Sequence, residues 1–68
     1  MSAKLNFDEG LEAALDYAFL FYNDRLDIIQ VTKDKLIDNI GRENGELSVE
    51  EADKVRQKVE KYLGKQKK

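Results

Sequence analysis

Phe21-Tyr22-Asn23-Asp24-Arg25-Leu26-Asp27 is the stretch on which the fold turns. Asn23 is a good helix N-cap, and Asp24 and Asp27 suit the positive end of a new helix, so the segment reads as a break between two helices. It also reads as continuous helix: Leu26, Ile29, Leu36 and Ile40 extend a stripe in phase with Tyr22, interrupted only by Lys33. Thr32 offers another break, because Val31 and Leu36 are spaced as a hydrophobic staple around it. A break predicts three helices, at about 7–22, 24–41 and 48–63. Continuity over 7–41 predicts a long-helix hairpin, which leaves much of the long helix uncovered and requires a second copy. Either way the chain is a small all-α helical bundle, a single domain over residues 1–68 with frayed ends at 1–5 and 64–68, and completion by oligomerisation is expected.

On the N-terminal side, Asn6 can cap a helix, with Glu9 at the third helical position for a capping box and Asp8 complementing the helix end. Leu11, Ala14, Leu15, Ala18, Phe21 and Tyr22 recur at the three-and-four spacing of one face. On the C-terminal side, Gly41 suits the left-handed position after a helix, and Asn44-Gly45 is a turn dipeptide. Ser48 with Glu51 forms the best capping box in the chain. It opens a helix whose apolar face is Val49, Ala52, Val55, Val59, Tyr62 and Leu63, and which Gly64 is expected to end.

Composition narrows the chemistry. Sixty-eight residues leave room for one domain, and the absence of Cys and His removes disulfides, haem, iron–sulfur clusters and thiolate or imidazole zinc. No Pro occurs, and the thirty residues between Gly10 and Gly41 hold no strong breaker, which favours helix over sheet. The net charge of −2 hides a gradient. Residues 1–22 carry one Lys and four acids, residues 42–53 one Arg and five acids, and residues 54–68 seven bases against Glu60. A bulk-acidic chain with one basic end is not a typical nucleic-acid binder. The longest uncharged apolar run, residues 17–22, is far too short to span a membrane, and a cytoplasmic location is expected.

Candidate catalytic groups are few. Asp8, Glu12 and Asp16 share one helix face, as do Asp34 and Asp38, but paired carboxylates need a cleft that drives their pKa values apart. A calcium-loop alignment on Gly45 places Asn44, Leu47, Ser48 and Glu51 suitably, yet puts Ile40 and Arg42 where calcium needs oxygen ligands. Ser2, Thr32 and Ser48 have no His to activate them, and Gly41 and Gly45 lack the phosphate-loop spacing. The expectation is a non-enzyme without cofactor or metal.

The run Tyr17-Ala18-Phe19-Leu20-Phe21-Tyr22 is apolar all round, whereas a surface helix needs apolar residues on only part of its circumference. With Ala18, Phe21 and Tyr22 toward the core, Leu20 points almost directly away, flanked in projection by Ala13 and Tyr17, with Phe19 on the opposite shoulder. A second apolar face rich in aromatics reads as an interface. The expected partner surface is Tyr17, Phe19, Leu20, Phe21 and Tyr22, extended by Ile28 and Val31. Its occupant is expected to be another protein or a second copy of this chain, with no membrane.

A competing order of elements comes from reading Arg25 to Thr32 as a strand, with β-branched Ile29 and Val31. Followed by helix 33–41, a Gly-containing loop and helix 48–63, this resembles a ribbon-helix-helix repressor over the last two-thirds of the chain. The resemblance implies a small nucleic-acid-binding regulator using Arg25, Gln30 and the basic end. The chain departs from that pattern at Asp27, on the supposed groove-reading strand, and at Glu50 and Glu51, where a helix N-terminus would meet phosphate.

Overall fold

The computed structural model describes residues 5–66, and they form three helices: α1 (Phe7–Phe21), α2 (Arg25–Ile40) and α3 (Val49–Gln66). Asn6 is extended, and its side-chain oxygen accepts the Glu9 backbone N–H at 2.8 Å, which starts α1. The chain breaks after Phe21. Tyr22 is extended, though its N–H still reaches Ala18 O, and Asp24 is extended with its carboxylate accepting the Leu26 N–H at 2.8 Å. The cap is therefore Asp24 rather than Asn23, and the three-helix alternative, not the continuous 7–41 helix, is the fold.

A small residue sets how closely α1 and α2 approach. Gly10 is buried, and a β-carbon placed there would stand 3.1 Å from Leu36 Cδ1 and 3.4 Å from Ile40 Cγ1. At the same end of α2, Gly41 takes φ 76°, the left-handed conformation that L side chains disfavour. Gly41 N–H and Arg42 N–H both donate to Ile37 O, satisfying a carbonyl the helix end would otherwise orphan. Ser48 and Glu51 then open α3 reciprocally. Ser48 Oγ accepts the Glu51 N–H at 3.1 Å, and Glu51 Oε1 accepts the Ser48 N–H at 3.2 Å. Glu51 Oε2 is meanwhile paired with Arg42, which ties the loop to the new helix. The carboxylate at the last position of the calcium-loop alignment is thus already engaged on both oxygens.

Two reversals leave α1 and α3 parallel, with α2 antiparallel to both. The Phe19 and Tyr62 rings stack at 5.2 Å toward one end, and Lys54 Nζ lies 5.5 Å from the Phe7 ring toward the other. The core comprises Leu11, Ala14, Leu15 and Ala18 of α1, Ile28 and Leu36 of α2, and Val55 and Val59 of α3. Burying each of the larger side chains contributes about 1.5–3 kcal/mol. α2 packs closely on α1, and α3 touches the pair less extensively.

Several expectations change. Thr32 is not a break but a fully buried residue in the middle of α2. The inward face of α2 is Ile28, Thr32 and Leu36, so the stripe is rotated from the one beginning at Leu26, and Leu26 is exposed. Phe21 and Tyr22, assigned to the core face, are exposed, because α1 ends there and Ile28 fills the core instead. Val49, at the first turn of α3, is exposed too. Gly64 does not end α3, which continues through Gln66; the expected fraying at 1–4 and 67–68 lies outside the described residues. Arg25 to Thr32 forms the first two turns of α2, so the strand that the ribbon-helix-helix resemblance needs is helix. Among the described residues, no helix is long and apolar enough to cross a membrane.

Candidate interaction surface

The last turn of α1, the Tyr22-Asn23-Asp24 reversal and the first turn of α2 gather at one end of the bundle. Leu20 is 75% exposed, Leu26 74% and Phe21 63%. Leu20 lies opposite the buried face of Gly10, Leu11, Ala14, Leu15 and Ala18, and the described residues leave it exposed. Phe21 packs sideways on Tyr17, one turn back, with ring centroids 5.0 Å apart. Lys35 Nζ sits 4.5 Å from the Tyr17 ring centre, a cation over an aromatic face.

Tyr17, Tyr22 and Val31 also line one open groove between α1 and α2, of about 460 Å³, with Asp34, Lys35, Ile37 and Asp38. Three of the seven residues expected at a partner surface, separated by up to fourteen positions in sequence, therefore converge. Leu20 and Phe21 lie beside them as the most exposed apolar side chains of α1. Two do not belong. Ile28 is 1% exposed and part of the core, because the inward face of α2 is rotated onto it. Phe19 is half-buried against Tyr62 and serves to hold α3 on α1. Leu26, outside the expected surface, is nevertheless exposed at the same end of the bundle. Its hydrophobicity placed it in a core stripe, and only the polar but buried Thr32 reveals the true phase.

The charged residues near this surface are ordered. On α1, Glu9, Glu12 and Asp16 are exposed and lead at helical spacing to Leu20, forming one outward edge. On α3, Lys54, Lys58 and Lys61 are exposed at the same spacing. Between these edges runs a groove lined by Asp8, Glu9, Glu12, Lys58 and Tyr62 over Leu11 and Leu15. Among the described residues, the ion pairs are Arg25–Glu60, Arg42–Glu51 and Arg56–Asp53, none of which joins the α1 acids to the α3 lysines. Among the same residues, no three carboxylates gather as a cation site.

No family model matches the chain, and no curated protein or solved structure matches it either.

Proposed function

We propose that this chain is a non-enzymatic helical interaction module that self-associates, with the C-terminal half of α1 as its recognition surface. Leu20, Phe21 and Tyr17 form that surface, Tyr22 and Val31 extend it into the adjoining groove, and Leu26 borders it. The observation that carries the reading is the exposure of Leu20 and Phe21 on a helix whose inward face is already filled. Large apolar side chains left together at one end of a small bundle favour association, because covering them removes apolar area from water. A chain of 68 residues has a small core, and association adds to its stability.

The test is sedimentation equilibrium of wild type and Leu20→Asp, with helicity followed by circular dichroism. Wild type should be oligomeric, and the variant monomeric at unchanged helicity. Loss of helicity in the variant would place Leu20 in the core and overturn the reading.

A further inference from the structure

The exposed surfaces of α1 and α3 carry opposite charge in matching patterns. The outward edge of α1 runs Glu9, Glu12, Asp16 and ends on Leu20, at steps of three or four residues, one helical turn each. The corresponding edge of α3 runs Lys54, Lys58 and Lys61 at the same steps. These side chains are exposed, and among the described residues no ion pair joins the two edges within the chain. The helices are parallel, side by side, and separated by a groove with Leu11 and Leu15 at its floor.

A two-fold axis running parallel to two parallel neighbouring helices, placed over the groove between them, lays each helix parallel on the other's symmetry mate. Here it would set the acidic edge of α1 on the basic edge of α3 in a second copy, and the reverse contact would form at the same time. Both contacts are attractive, and the arrangement closes as a dimer. The alternative stacking, α1 on α1 and α3 on α3, opposes acid to acid and lysine to lysine. Like-charge juxtaposition of that kind is what excludes wrong registers at interfaces. The lysine stems supply apolar cover for Leu20 while their ammonium groups stay in water.

We infer that a second copy of this chain docks through the Lys54–Lys58–Lys61 edge of its α3 onto the Glu9–Glu12–Asp16–Leu20 edge of α1, which meets the proposed α1 surface at Leu20. The inference rests on the self-association reading above, and it specifies which part of the second copy is engaged.

Charge reversal on each edge tests it. The paired substitutions Glu12→Lys with Asp16→Lys make both edges basic, and Lys54→Glu with Lys58→Glu make both acidic. Each variant alone should lose at least about tenfold in dimer affinity, as like charges then face each other across both contacts. An equimolar mixture should recover association as a heterodimer, because reversed α1 meets reversed α3 in one contact and the native pairing survives in the other. Raising the salt concentration should weaken the wild-type dimer. All four positions are exposed, and circular dichroism of each variant checks that helicity is kept; the neutralising pair Glu12→Gln with Asp16→Asn gives an intermediate loss if reversal disturbs folding. A wild type that remains monomeric overturns both the self-association reading and this inference. A wild-type dimer that Leu20→Asp dissociates but charge reversal leaves intact, or a mixture that fails to recover, overturns this inference alone.

Discussion

Thr32 brings a hydroxyl into the centre of the bundle, where it is fully buried and its Oγ1 has no hydrogen-bond partner among the described residues. A buried polar atom without a partner costs about 1–3 kcal/mol of desolvation, whereas a methyl of similar size in its place contributes packing. Thr32→Val should therefore raise the stability, by about 1 kcal/mol, read as a higher urea midpoint at unchanged slope. A lower midpoint would mean that the hydroxyl is satisfied within its own helix. Gly10 makes the opposite case. Its neighbours leave 3.1 Å for a β-carbon and nothing for a branched side chain, and Leu36, which would have to yield, is itself fully buried. Gly10→Val should force α1 away from α2 and destabilise by about 1–3 kcal/mol, despite the gain from replacing a helical glycine. Gly64 provides the control, since among the described residues nothing lies within 4 Å of a β-carbon built there. In that open position Gly64→Ala should gain up to about 1 kcal/mol in thermal or urea unfolding.

Helix ends are more legible in the sequence than helix faces where a cap acts locally, although Asn23 yields the α2 cap to Asp24 and Gly64 does not end α3. Asn6, Ser48 with Glu51, and Gly41 each act through a local hydrogen bond or a backbone angle that the residue type itself prefers, and each sits where its chemistry placed it. The faces depend on which neighbour fills the interior, and that is not local. In α2, Thr32 is polar by type yet buried. A stripe through Leu26, Ile29, Leu36 and Ile40 therefore finds Leu36 and its half-buried flank but is displaced from the Ile28–Thr32 side of the inward face, and Leu26 is exposed. The same displacement took Ile28 out of the partner surface. In α1, Phe21 matched the core face by angle, but α1 ends at that residue and the ring turns onto Tyr17. The loop between α2 and α3 shows how element ends are joined. Glu51 caps α3 through one oxygen and holds Arg42 through the other, and both side chains are only partly exposed. Glu51→Ala should remove the cap and leave the Arg42 guanidinium without its carboxylate, at a cost of about 1–3 kcal/mol in urea unfolding. Asp53→Ala, which leaves only the exposed Arg56 unpaired, should change stability by less than about 0.5 kcal/mol. Equal effects of the two would remove the special role given to Glu51.

At the scale of the whole molecule, the three helices are not equally committed to the fold. α1 and α2 meet along their length around Gly10, and between them supply Leu11, Ala14, Leu15, Ala18, Ile28 and Leu36 to the core. α3 contributes two fully buried side chains, Val55 and Val59, with Tyr62 and Leu63 only partly covered. Regions with fewer buried apolar groups open at lower free energy than the rest of a domain. Native-state hydrogen exchange should therefore find the amides around Val55 and Val59 less protected than those around Leu15 and Ala18, by sub-global release of α3 from an α1–α2 hairpin. The proposed self-association would raise these levels in a defined way. Contact between the α3 edge of one copy and the α1 edge of another would clamp the loosest helix from outside, so α3 protection should rise with protein concentration, and the interior with it, because both openings then require dissociation. If the three helices exchange together at every concentration, the bundle is a single cooperative unit and α3 is not held by association. Protection of the Val55 and Val59 amides that climbs with protein concentration would instead couple the stability of the fold to the contact α3 makes.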